Sequence, residues 1–327
     1  MAVRAPDAAA IEEAATHLKA GRLVVFPTET VYGLGANGLD AAAVKRIFAA
    51  KGRPSDNPCI LHVADLAMAE RCGTFPDAAR KLAAKFWPGP LTLVVPKKPS
   101  VPAPATGGLD TVALRQPDHP VALAVIRAAG VPIAAPSANR SGTPSATRVE
   151  DAAADLGDAV ALYLDAGPCR IGLESTVVGW SHGKPRILRQ GAISAEAVAA
   201  VVGPLAAAPS SKKPLAPGMK YRHYAPKIPV HVAAPGELSA LQRQFAGRRV
   251  AWLLSRETAA SFTPEGTVVV GGRREAAIWA KRLYALLRDA EGGHDAIVVE
   301  AIPEEGLGAA VMERARKAAR AAGGPGS

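Results

Sequence analysis

Long apolar runs are missing from this 327-residue chain. A helix that crosses a bilayer needs about 18 or more consecutive apolar residues, and no such stretch occurs. The opening Met1-Ala2-Val3-Arg4-Ala5-Pro6-Asp7 lacks the apolar centre of a secretory signal, and Asp7, Glu12 and Glu13 argue against a transit peptide. Cysteine is scarce. Cys59, Cys72 and Cys169 are odd in number and scattered, with neither a CxxC pair nor a disulfide framework. They read as buried or idle thiols in a reducing compartment. The seven histidines form no HExxH pair, which argues against a zinc site. The GxxxxGK[ST] phosphate loop, the GxSxG elbow and the RRM, KH and zinc-finger patterns are absent as well. These absences point to a soluble, cytoplasmic protein outside the commonest nucleotide-binding and hydrolase classes.

What remains is apolar enough to fold: 49% of residues are hydrophobic, many of them alanine, and the length suits two domains. A net charge of +10 ordinarily suggests nucleic acid. Its distribution argues otherwise, because residues 211–230 carry Lys212, Lys213, Lys220, Arg222 and Lys227 with no acid, half of the excess. So local a patch suits a compact polyanion such as a nucleotide at least as well as a duplex.

Residues 8–203 alternate helical and extended signals. Helices are expected at 8–20, 40–50 with Asp40 as N-cap, 76–86, 118–129 and 147–156. Apolar runs of strand length fall at 22–26, 58–63, 91–95, 111–115, 131–135, 160–164, 175–180 and 186–190. Residues 204–229 lose the periodicity and read as a linker whose centre, Pro217 to Pro226, is unexpectedly rich in tyrosine and basic side chains. Residues 230–321 resume a β-α-β-β-α-β-α order, with strands at 228–233, 249–254, 267–271 and 296–301 and helices at 237–246, 274–290 and 307–321. That order suits a small three-layer Rossmann-like domain, although GxGxxG is missing after its first strand.

Four segments could carry chemistry, each with an ordinary alternative. Pro27-Thr28-Glu29-Thr30-Val31-Tyr32-Gly33-Leu34-Gly35 follows a strand end, and its hydroxyls, carboxylate and glycines fit either a polar pocket or a hydrogen-bonded turn. Lys51-Gly52-Arg53-Pro54-Ser55-Asp56-Asn57-Pro58 closes a helix with cations and an amide. It is an anion site or the usual cationic helix C-terminus. His62 follows on the next strand, where a satisfied core histidine is the commoner case. Ala134-Ala135-Pro136-Ser137-Ala138-Asn139 through Ser145 offers small residues and hydroxyls, as a ligand loop or a plain polar loop does. Thr111 and Arg115 share one face of a strand, and Ser175, Thr176 and Arg189 lie near other strand ends.

Together these pieces resemble the YrdC-like family in its long, two-domain form. The resemblance rests on FPTETVYGLG (26–35), KGRPSDNPCILHV (51–63), FWPGPLTLVV (86–95), VALRQPDHP (112–120), PIAAPSANRSGTPSAT (132–147), GLESTVV (172–178), ILRQGAIS (187–194) and PGMKYRHYAP (217–226). It implies an α/β chain with a twisted mixed-sheet YrdC-like domain over 8–203, a linker or lid over 204–229 and a Rossmann-like domain over 230–321. The activity it implies is threonylcarbamoyl-AMP synthesis, a nucleotidyl transfer from ATP to L-threonine and bicarbonate. The product feeds a downstream threonylcarbamoyl transferase that modifies adenosine 37 of tRNA. By motif position, Thr30, His62, Arg115, Ala135 and Ser175 are the implied L-threonine contacts. Lys51, Arg53, Asn57, Thr111, Ser137, Asn139, Ser145, Arg189 and Tyr224 are the implied ATP-side residues. Mg²⁺ is expected with ATP, with no ligands from protein side chains. Two other readings stay open: an RNA-binding module, and a carbamoyl-adenylating domain with another carbamoyl donor. Direct tRNA contact is left open.

Overall fold

The computed structural model describes residues 2–207 and 224–321, so the centre of the expected linker, including Lys212, Lys213, Lys220 and Arg222, lies outside the described residues. The chain divides into two compact units. One takes in the described residues up to Ser141, then Ala146–Arg170 and Glu174 to residue 207; the other takes in Gly142–Ser145, Ile171–Leu173 and the chain from Tyr224 onward.

The first unit runs β1 (Val3–Arg4), α1 (Ala8–Lys19), β2 (Val24–Phe26), β3 (Gly33–Asn37), α2 (Ala41–Lys51), β4 (Ile60–His62), α3 (Leu66–Cys72), α4 (Asp77–Phe86) and β5 (Leu91–Pro96). It continues with α5 (Ala103–Thr106), β6 (Thr111–Arg115), α6 (Pro120–Ala129), β7 (Ile133–Ala134), α7 (Val149–Leu156), β8 (Leu162–Leu164), β9 (Thr176–Ser181), β10 (Lys184–Arg189) and α8 (Ala195–Val202). Its strands form one sheet in the order β1-β8-β2-β3-β7-β4-β6-β5-β9-β10, with parallel and antiparallel neighbours mixed.

Local chemistry sets the elements that matter for function. Asp40 caps α2 by accepting from the amides of Ala42 (2.8 Å) and Ala43 (3.2 Å). Gly52 ends the same helix in the left-handed conformation at φ +59, which leaves Lys51 in the last turn. Sequence reasoning placed no strand at residues 33–37, which form β3. The glycine is needed for packing, since a Cβ at Gly35 would stand 2.7 Å from the Phe26 ring and 3.0 Å from Ile133. The short α3 and α5 and the later α8 were also not anticipated.

The second unit contains β11 (Val230–Ala233), α9 (Leu238–Gln244), β12 (Val250–Ser255), α10 (Arg256–Ala259), β13 (Thr267–Gly271), α11 (Ala276–Ala290), β14 (Ala296–Glu300) and α12 (Leu307–Ala321). Its sheet is parallel throughout, in the order β11-β14-β12-β13. All six residues of β12 are buried, as expected of a parallel strand covered on both faces. On α11, Trp279, Ala280, Leu283, Tyr284, Leu287 and Ala290 make the buried stripe. The one-turn α10 was missed because four residues are too few to show a period.

Candidate active site

Neighbouring strand ends of the first unit carry the polar side chains. β4 and β6 are parallel with His62 opposite Arg115, and β7 runs antiparallel on the other side of β4, with Leu61 opposite Ala134. The turn between β2 and β3 is tied by Thr28, whose hydroxyl donates to the Val31 carbonyl at 2.6 Å and lies 2.9 Å from the Thr30 hydroxyl. The pinned Thr30 oxygen accepts from Arg115 Nη1 at 2.9 Å, and Arg115 Nε donates to the Gly89 carbonyl at 3.2 Å. Arg115 is therefore a fixed cation, 3% exposed, and not a solvated surface arginine.

A second cluster sits at the starts of β9 and β5. Ser175 Oγ is 2.7 Å from Thr92 Oγ1, and Arg189 donates to the Ser175 carbonyl and hydroxyl, each at 3.1 Å. A third centres on Lys51, which is 3% exposed. Its ammonium donates to the Ser137 carbonyl at 2.5 Å and to the Asn139 carbonyl. The helix-terminal cation thus cross-links the small-residue loop after β7. Arg53 folds onto its own loop, donating to the carbonyls of Asn57 (3.2 Å) and Pro58 (2.8 Å).

His62 is buried, with its ring edge-on to Phe26 at 6.2 Å between centroids. Burial first, and then the Arg115 charge, hold its pKa down to about 3, so the imidazole is neutral near pH 7. Burial also raises the Cys59 thiol, against the opposing pull of Arg53 and Lys51, and raises Cys169 to about 12, where Glu29 adds to the effect. Both thiols are protonated at neutral pH and poor nucleophiles.

The structure therefore joins Thr30 to Arg115 beside His62, Ser175 to Arg189, Lys51 to Ser137 and Asn139, and Arg53 to Asn57. Ala135 follows β7 and donates its amide to the Ile60 carbonyl at 2.9 Å. Thr111 stands at the far end of β6 from Arg115, roughly 13 Å away at about 3.3 Å per residue. Ser145 and Tyr224 belong to the second unit. There the Tyr224 ring stacks on Tyr284 at 5.3 Å, the Arg314 guanidinium lies 5.5 Å from the Tyr224 ring centre, and the Tyr224 backbone is left-handed at φ +68.

Sequence reasoning missed Glu29 as a site residue. It belongs to the segment that fits a polar pocket, next to the expected contact Thr30, but was given no role, and it is 1% exposed. Its Oε2 is 2.6 Å from Arg115 Nη2, at an angle that makes an ion pair without a hydrogen bond. An acid between strand-forming residues was the available signal. Several other buried polar atoms here make no hydrogen bond: Asn57 Nδ2, His62 Nδ1 and His119 Nδ1. Buried polar atoms are normally hydrogen-bonded. Among the described residues no three His, Cys, Asp or Glu side chains converge as a metal site would need, and no helix is long and apolar enough to cross a membrane.

Comparison with known proteins gives this geometry a context. Residues 16–191 match a family model described as "Telomere recombination", covering the Sua5, YciO and YrdC proteins, and residues 193–320 match "Threonylcarbamoyl-AMP synthase, C-terminal domain". The threonylcarbamoyl-AMP synthase of Bacillus subtilis (strain 168) is 45% identical over 320 residues, covering 94% of this chain and 92% of its own. The synthase of Pyrococcus abyssi (strain GE5 / Orsay) is 44% identical over 324 residues, with 94% and 93% covered. The crystal structure of P. abyssi Sua5 complexed with L-threonine matches with a TM-score of 0.90 at 42% identity, over 98% of this chain and 97% of that one.

Proposed function

The chain belongs to the two-domain threonylcarbamoyl-AMP synthase family, and from that premise we propose that it joins L-threonine, bicarbonate and ATP into L-threonylcarbamoyladenylate and pyrophosphate. The observation that carries the reading is the contact between Arg115 and Thr30 at 2.9 Å in a buried setting. It puts a fixed cation for a carboxylate beside a hydroxyl that can read the substrate's own hydroxyl.

The chemistry asks for what these residues offer. The threonine amine and bicarbonate give a carbamate. A carbamate oxygen attacks the α-phosphorus of ATP in line, and pyrophosphate leaves. No protein nucleophile is needed, so the work is alignment, charge neutralisation and exclusion of water. Arg115 anchors the threonine carboxylate, while Thr30, Ser175 and neutral His62 line the side-chain slot. An amino acid without the hydroxyl would leave those groups unpaired. Lys51, Arg53 and Arg189 face the phosphates, and Asn57, Ser137 and Asn139 add polar contacts. Mg²⁺ would arrive with the triphosphate and be held by its oxygens, a fit to a donor set of cations, amides and hydroxyls. Thr111, Ser145 and Tyr224 enter through the resemblance alone. The adenylate is a labile activated carbamate, consistent with hand-over to a transferase that modifies tRNA.

The test is pyrophosphate release from ATP and bicarbonate with and without L-threonine. Release that depends on threonine, and that falls about 10²- to 10³-fold in Arg53→Ala, is expected. Parental turnover in a folded Arg53→Ala chain would refute the assignment. Arg53 is a cleaner target than Lys51, whose buried ammonium also cross-links the loop after β7.

A further inference from the structure

A buried carboxylate with no hydrogen bond is expensive. Removing one from water costs several kcal/mol after relaxation, and a single ion pair seldom offsets that unless the remaining lone pairs are also satisfied. Glu29 meets only half of this condition. Arg115 compensates its charge at 2.6 Å, yet neither carboxylate oxygen accepts a hydrogen bond, although a carboxylate has about four acceptor sites. His119, ahead of α6, keeps its Nδ1 unpartnered, and burial pushes its pKa down while Glu29 pulls it up. Cys169 is a protonated thiol that feels the Glu29 charge.

A partner for the Glu29 oxygens has to be a hydrogen-bond donor close to whatever Arg115 binds. An α-amino acid supplies that group. Its carboxylate and ammonium are separated by one carbon, and the Arg115–Glu29 pair presents the opposite charges in the same close arrangement. We propose that Glu29 receives the α-ammonium of the amino-acid substrate and takes the proton that nitrogen must lose before carbamate can form. One N–H bond breaks and one O–H bond forms on Glu29. The freed nitrogen lone pair attacks the bicarbonate carbon, and the bicarbonate hydroxyl leaves as water with a second proton from nitrogen. The proton held by Glu29 then returns to solvent, which balances ammonium plus bicarbonate against carbamate, water and one proton. The inference rests on the reading of Arg115 as the carboxylate anchor.

The probe is a ligand pair: L-threonine and 2,3-dihydroxybutanoate of matching stereochemistry, in which a hydroxyl replaces the ammonium. Calorimetric titration of the full-length parent should show threonine bound tighter by tenfold or more, the size of one charge-assisted hydrogen bond. In Glu29→Gln the preference should shrink to within about twofold, with the affinity for the analogue little changed. At saturating threonine, Glu29→Gln turnover near pH 7 should drop about 100-fold and recover as pH rises and the ammonium deprotonates unaided. Burial holds the pKa values of His62 and His119 below the ordinary histidine range, and Cys169 stays protonated to about 12, so none of these neighbours supplies the recovery. A Glu29 that only braced Arg115 would leave the ligand preference and the pH profile unmoved, and that result overturns the proposal. Equal binding of the two ligands by the parent overturns it too, and needs no variant to fold. Arg115→Ala separates the layers: unchanged binding of the analogue there removes the carboxylate anchor and everything built on it.

Discussion

Each unit buries a glutamate against an arginine, and the two are finished differently. In the second unit, Glu300 at the end of β14 is 0% exposed and saturated. It accepts from the Ser255 amide (2.6 Å) and hydroxyl (2.9 Å), the Thr258 hydroxyl (2.8 Å) and Arg273 Nε (2.9 Å). In the first unit, Glu29 has its arginine and nothing else. A closed network belongs to the fold, because every group in it has been repaid at folding. An open one keeps acceptor sites that a donor can still meet. Burial alone would have ranked the two glutamates together; hydrogen-bond accounting separates them.

The contrast is most exposed at Glu300. Replacing it with alanine leaves the half-buried Arg273 without its carboxylate and strands three buried donors, which should cost about 2–4 kcal/mol of stability. Urea unfolding measures this, and turnover per folded molecule should stay within about twofold. A loss of turnover without a loss of stability would mean that the saturated cluster serves function, and the distinction would fail.

Next in size is Arg53→Ala, with the 10²- to 10³-fold fall in pyrophosphate release already set out and a small change in unfolding midpoint, the reverse of Glu300→Ala. Thr30→Val follows. It removes the hydroxyl that accepts from Arg115 and should raise KM for L-threonine about tenfold or more, roughly 1–3 kcal/mol. The same change should narrow the preference for threonine over 2-aminobutyrate. If both substrates suffer equally, Thr30 only orients Arg115 and does not read the side chain.

Much of this was legible in the sequence. Asp40, the 3.6 period of 41–51 and Gly52 fix where Lys51 ends its helix, and the short β-rich runs mark β4, β5 and β6 closely. The union of Thr30 with Arg115, or of Ser175 with Arg189, was not legible from spacing, because sheet order brings together residues 85 and 14 positions apart. Only the family resemblance put Thr30 and Arg115 at one substrate, and it assigned Ser175 and Arg189 to different ones. Glu29 escaped because a sequence shows an acid but not whether its lone pairs are met. β3 escaped because its glycines serve close packing against Phe26, a tertiary demand that imitates a loop signal.

The smallest effect compares the histidines of the two units. Burial lowers the pKa of both His62 and His231, but only at His62 does a fixed cation, Arg115, add to the desolvation. A histidine whose folded pKa lies below its unfolded value of about 6.5 is held neutral by the fold while the unfolded chain takes a proton. Between that pH and about 3, the unfolded state therefore binds more protons, and stability falls as pH falls. One proton gives a slope approaching about 1.4 kcal/mol per pH unit. His62→Phe keeps an aromatic ring against Phe26 and removes the titration, so urea midpoints taken at pH 7, 6 and 5 should decline less steeply than in the parent. His119, His231 and the carboxylates whose pKa the fold lowers contribute to the slope that remains. A parental decline no steeper than that of His62→Phe between pH 7 and 5 would mean that the fold does not hold His62 neutral.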